Sequence, residues 1–160
     1  MPAIRRPGRV TARAATVLVL LLTAAAWLAA APAAHAAALS AGMRILDRAE
    51  TRTGDWYAYG AAGPSAFDCS GLVYWSATAA GEHGWPRDTY GIAAQIGTRF
   101  SITSRPVRGD LALWGPASAP YHVEIVGGPG QTFGAQSTGT RVGWHSDAWF
   151  RPSFYLHVNY

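Results

Sequence analysis

The spacing of apolar residues divides the chain into a helical first half and a strand-rich second half. From Ala38 to Arg52, Leu39, Met43, Ile45, Leu46 and Ala49 recur at roughly helical spacing, and Thr53-Gly54-Asp55 ends the run. Tyr57 to Ala66 is rich in Gly, Pro and Ser and predicts a loop. Leu72, Val73, Trp75, Ser76 and Ala79 predict a second helix with Asp68 at its N-cap and Gly81 at its end, and Pro86 opens a short helical stretch from Thr89 to Ile96. Beyond Arg108 the pattern alternates. Strands are expected at Leu111 to Trp114, His122 to Val126, Gln131 to Gln136, Arg141 to Trp144 and Phe154 to Val158, joined by turns such as Gly127-Gly128-Pro129-Gly130. Helices segregated from a meandering antiparallel sheet make an α+β domain.

The chain opens differently. Arg5, Arg6, Arg9 and Arg13 precede an uncharged run from Ala14 to Ala31, and Pro32 leads into Ala34-His35-Ala36. A basic start, a short apolar stretch and a small-residue site describe a secretory signal peptide over residues 1–36, leaving one domain over 37–160 and no stable membrane insertion after cleavage. A retained anchor helix is the alternative. The charge follows that division. All 13 basic residues are arginine, and the four in the leader leave nine against nine Asp plus Glu, so the formal +4 belongs to the leader and gives no reason to expect a nucleic-acid partner. No repeat or linker suggests a second module, and a monomer is expected.

Cys69 is the chain's single cysteine, at a helix start in a protein expected to be exported, where cysteines are usually paired. A nucleophilic cysteine needs its pKa brought down from about 8.5, by roughly 2.5 units or ~3.4 kcal/mol to reach 6. A helix N-terminus supplies about 0.3–1 kcal/mol, so a neighbouring imidazolium has to supply much of the rest. His122, at the start of an apolar strand, is the candidate. His83, His145 and His157 lack a comparable setting. One cysteine and scattered histidines give no metal-ligand spacing, and no cofactor is expected.

Phe-Asp-Cys-Ser-Gly-Leu-Val at 67–73, Pro-Arg-Asp-Thr-Tyr at 86–90, Arg-Gly-Asp-Leu at 108–111 and His-Val-Glu-Ile-Val at 122–126 resemble, in order and spacing, the NlpC family of cell-wall cysteine peptidases. The resemblance implies a papain-like α+β fold and hydrolysis of peptidoglycan stem peptides, commonly between γ-D-glutamate and a diamino acid, by a secreted or wall-associated enzyme. It also implies Cys69 as nucleophile, His122 as its base, and Tyr57 as a hydroxyl beside the Cys69 amide for the oxyanion. Asp68 and Ser70 either bind the free amino end of the peptide or cap the helix. Asp110 is expected to fix a turn, and Arg87 and Asp88 to tie the short helix to its neighbours. Trp85 and Trp144 are read as core or as groove wall.

One position departs from the pattern. The imidazole needs an acceptor on its other nitrogen, and the usual place for that group, about twelve residues beyond the histidine, falls on Gly134. A longer turn over 127–131 would instead bring Gln136 into the role, with His145 the next candidate. A catalytically weak wall-binding domain of the same fold, or a cell-wall amidase, is the alternative function.

Overall fold

The computed structural model describes residues 40–159; the expected signal peptide lies outside them. Helix α1 (Ala41–Glu50) starts at Ser40, whose hydroxyl accepts the Met43 N–H at 3.2 Å, and buries Ala41, Ile45, Leu46 and Ala49 on one face. Helix α2 (Cys69–Ala79) is capped by Asp68 and buries Leu72, Val73, Ser76 and Ala77. Helix α3 (Thr89–Ala94) is capped by Asp88. The loop expected between the first two helices contains a two-stranded parallel pairing of β1 (Trp56–Tyr57) with β2 (Ala66–Phe67).

The remaining strands are β3 (Phe100–Thr103), β4 (Leu111–Trp114), β5 (His122–Gly128), β6 (Gln131–Gly134), β7 (Gly143–Ser146) and β8 (Phe154–Val158). They form one six-stranded sheet in the order β3-β8-β4-β5-β6-β7, antiparallel throughout. The α+β expectation holds. The bounds of β4 and β8 are those the alternation predicts, β7 starts two residues later than expected, and β3 was not anticipated.

Alternation along the strands separates two sets of side chains. Leu111, Leu113, Val123, Ile125, Phe133 and Leu156 join Ile45, Leu46, Phe67 and Leu72 in the main core. Each such fully buried side chain contributes on the order of 1.5–3 kcal/mol. Ala112, Trp114 and Val126 form a second cluster. In register with it, Trp114 faces His122 and Ala112 faces Glu124. The two polar residues of β5 therefore share one side of the strand. The centre of the sheet is covered on both sides, which is why β5 reads as apolar with two titratable exceptions.

Two close approaches fix the helices that carry the site. A Cβ on Gly42 would lie 2.4 Å from the Gly109 carbonyl oxygen, so α1 sits directly on the turn before β4. A Cβ on Gly71 would lie 2.1 Å from the Ala61 carbonyl oxygen, the same oxygen that accepts the Asp68 N–H at 2.8 Å. The glycine of Asp-Cys-Ser-Gly is thus required where the preceding loop crosses the first turn of α2.

Candidate active site

Cys69 is the first residue of α2, where its own N–H has no intrahelical acceptor. Asp68 anchors this turn. Its Oδ1 accepts the Gly71 N–H at 2.6 Å and the Ser70 hydroxyl at 3.2 Å, and its Oδ2 accepts the Gly60 N–H at 2.9 Å. Arg87 closes on both carboxylate oxygens, at 3.2 and 3.0 Å, and also donates to Ser70 Oγ and the Gly60 carbonyl. Asp68, Ser70 and Arg87 thus lock the start of α2 to the preceding loop. Asp88 accepts the Gly91 N–H at 2.7 Å and so caps its own helix.

His122 opens β5 and lines the same cavity as Cys69. Its ring packs against Trp114, with centroids 4.9 Å apart, and against Phe150 at 5.8 Å; Trp114 and Phe150 are themselves stacked at 4.8 Å. The expectation that Gln136 orients this ring is not met. Gln136 lines the cavity beside Cys69, and among the described residues it makes no hydrogen bond to His122. The ring's Nε2 instead lies 3.2 Å from Oε1 of Glu124, two residues along the same strand and on the same side. Glu124 is 0 % exposed. Its Oε1 also meets His145 Nδ1 at 2.9 Å, and its Oε2 accepts the Thr132 hydroxyl. His145, the other candidate for the orienting role, is therefore bound to the carboxylate and not to the His122 ring.

The titration of the two β5 groups follows from this packing. Burial alone would lower the His122 pKa, but its hydrogen bonds to Cys69 and Glu124 raise it from 6.5 to about 9. Burial alone would raise that of Glu124, but hydrogen bonds from His122, His145 and Thr132 bring it from 4.5 to about 2. At neutral pH the network thus holds a carboxylate and an imidazolium.

A cavity of about 760 Å³ opens over Cys69 and His122, lined also by Tyr57, Asp68, Ser70, Arg87 and Gln136 and rimmed by Tyr59, Tyr90, Tyr121 and Phe150. The Tyr57 hydroxyl has no hydrogen-bond partner among the described residues, and burial together with the charges of Cys69 and Asp68 raises its pKa, so it remains a donor. Neither tryptophan considered for a groove wall lines this cavity. Trp85 is buried against Phe100, and Trp144 covers Gly127 and Phe133. Asp110 holds its turn through Val107 N–H and binds His157 Nδ1 at 2.8 Å. Among the described residues no group of three His, Cys, Asp or Glu side chains is placed to hold a metal ion, and no helix is long and apolar enough to cross a membrane.

A thiol at a helix start, an imidazole lining the same cavity and a carboxylate behind the imidazole lie together at the mouth of an α+β domain. Residues 54–157 match the NlpC/P60 family, and the chain belongs to that family. A probable endopeptidase of Corynebacterium glutamicum is 39 % identical over 117 residues, covering 72 % of this chain and 54 % of the relative. The probable endopeptidase p60 of Listeria monocytogenes is 35 % identical over 106 residues, 66 % of this chain and 21 % of that protein. The chain thus spans about half the length of the former and about a fifth of the latter. Among solved structures, the NlpC/p60 domain of the peptidoglycan hydrolase SagA superposes with a TM-score of 0.66 at 30 % identity, covering 73 % of this chain and 98 % of that one. The resuscitation promoting factor interacting protein RipA, in a form mutated at a glutamate, superposes with a TM-score of 0.61 at 28 % identity, covering 75 % of this chain and 63 % of that one.

Proposed function

We propose that the protein is a secreted or wall-associated cysteine endopeptidase that hydrolyses an amide bond of peptidoglycan stem peptides, the γ-D-glutamyl–diamino acid bond being the favoured target. The observation that carries this reading is the Cys69–His122 pair at the floor of an open, peptide-sized cavity in a chain of the NlpC/P60 family. The Cys69 sulfur, as thiolate, attacks the amide carbonyl carbon, and the carbonyl electrons move to oxygen. The Cys69 N–H and the Tyr57 hydroxyl donate to that oxyanion. As the C–N bond breaks, the His122 imidazolium gives its proton to the departing amine, leaving a thioester on Cys69. Water then attacks the thioester with neutral His122 taking its proton, and the acid product leaves as the thiolate and imidazolium are restored.

Asp68 and Ser70 are expected to border the substrate's amino side. Because Arg87 already engages both Asp68 oxygens, this wall presents a neutralised cluster to a peptide, not a bare carboxylate. Gln136 is positioned to meet the bound peptide as a cavity-wall amide. The case for an inactive binding domain rested on Gly134 leaving the third position empty, and that volume holds the Glu124 carboxylate. The test is release of soluble fragments from purified sacculi by the full chain. Cys69→Ala and His122→Ala should each abolish release while retaining the folded spectrum; release by Cys69→Ala would refute the thiol mechanism.

A further inference from the structure

The place where this site's third group is expected has no side chain, and the structure accounts for it. A Cβ built on Gly134 would lie 2.5 Å from Cγ, 2.8 Å from Cδ and 2.9 Å from Oε1 of Glu124. No side chain at 134 can coexist with Glu124 as it stands. RipA has been solved in forms mutated at a cysteine, a histidine and a glutamate, the glutamate twelve positions after the histidine. Twelve positions after His122 is Gly134. A carboxylate thus reaches the same volume here from the neighbouring strand, by way of the residue two places after the histidine.

We infer that Glu124 is the positioning residue of His122 in this chain, a carboxylate transferred from β6 to β5 and made possible by glycine at 134. Three contacts hold it. His145 Nδ1 and His122 Nε2 share Oε1, and Thr132 on β6 fixes Oε2, so the carboxylate has one orientation and the imidazole one tautomer. His145 and Thr132 face each other across β6 and β7, so the clamp is built into the sheet register. With Nε2 bound to Glu124, the free ring nitrogen is Nδ1, the one left for the Cys69 sulfur. His122 and Glu124 being i and i+2 on one strand, their spacing is set by a single stretch of backbone, and Thr132 and His145 turn the carboxylate toward the ring.

This inference rests on the Cys69–His122 reading but not on the identity of the substrate, and its test uses a substrate-free readout. The second-order rate of Cys69 alkylation by iodoacetamide at pH 7 is measured on the full chain as wild type, Glu124→Gln, Glu124→Ala, and Glu124→Ala combined with Gly134→Glu. Loss of the carboxylate should slow alkylation by up to about tenfold per unit of imidazole basicity lost, since each unit is a factor of ten in the ratio of the thiolate–imidazolium pair to the thiol–imidazole pair. Moving the carboxylate back to β6 in the double variant should restore the rate to within about threefold of wild type, as a structural role for Glu124 would not. Equal alkylation of Glu124→Gln and wild type, or a double variant no faster than Glu124→Ala, overturns the assignment. Should the variants fail to fold, the unaltered protein still decides. A slowly exchanging His122 Nε2 proton with a through-space correlation to the Glu124 methylene protons is expected, and its absence in a folded protein overturns the assignment. If alkylation behaves as expected while sacculi remain intact, the substrate proposal fails and this one stands.

Discussion

Replacing Asp68 by alanine and, separately, by asparagine separates two jobs that one carboxylate performs. Alanine removes the N-cap of α2, worth about 1 kcal/mol, and leaves the Gly60 N–H without its acceptor, about another 1 kcal/mol for a part-buried donor. It also removes the partner of Arg87. That guanidinium is 35 % exposed and keeps its bond to the Gly60 carbonyl, so water recovers much of the lost attraction, and about 1 kcal/mol is a sufficient allowance. The sum is a loss of about 3 kcal/mol. Asparagine can still accept the Gly71 N–H and cap the helix, but it turns an NH₂ toward Gly60 N–H and Arg87, so it should cost about 2 kcal/mol. Urea unfolding followed by tryptophan fluorescence measures both, provided the slope against urea is unchanged. A gap of about 1 kcal/mol between the two variants is the contribution of the cap. Equal losses would refute the capping argument, and losses under about 0.5 kcal/mol in both would show that the cluster does not anchor the start of α2.

Other outcomes follow from the same geometry. The C–H resonances of His122 should titrate with a midpoint near 9, falling in Cys69→Ala because one of its two supporting hydrogen bonds is gone; a midpoint at or below 6.5 in the wild type would contradict the packing described. Since the Glu124 pKa is lowered on folding, its contribution to stability is complete above pH 4.5 and is lost as pH falls toward 2. Acid unfolding of Glu124→Gln should therefore be less steep across that window than that of the wild type, and identical curves would contradict the ionised state assigned to Glu124. Tyr57→Phe should lower kcat on the order of 10²-fold with little change in KM, because the hydroxyl is needed when charge develops on the oxyanion. A KM effect alone would make it a binding residue.

Much of this site was legible in the residue pattern, and the exceptions have physical causes. Asp-Cys-Ser-Gly announces itself because each position has a local place: cap, a thiol at the helix start, cavity wall, and a glycine pressed on the Ala61 carbonyl. Strand β3 is faint in the pattern because it is an edge strand of four residues between polar turns, with Phe100 buried and Ile102 exposed. Glu124 was hidden inside His-Val-Glu-Ile-Val, read as an apolar strand. The signals that point to it were a charge in a run otherwise suited to burial, its place on the same side as His122, and a glycine where a side chain was expected. Gln136 and His145 are polar side chains farther along the chain, where a partner for the histidine is expected. What only three dimensions reveal is that the empty volume at 134 is filled from the strand beside it. The Trp114–Phe150 stack around His122 was likewise out of reach, since it joins β4 to a segment 36 residues later.

The central claim, a thiol-dependent cut in a stem peptide, is tested most directly by mass analysis of the soluble fragments released from purified sacculi by the wild-type chain and by Cys69→Ala. The account predicts fragments whose masses show one amide bond of the stem hydrolysed between γ-D-glutamate and the diamino acid, with intact glycan, in the wild-type digest alone. Fragments cut in the sugar chain, or the same fragments from Cys69→Ala, would contradict it.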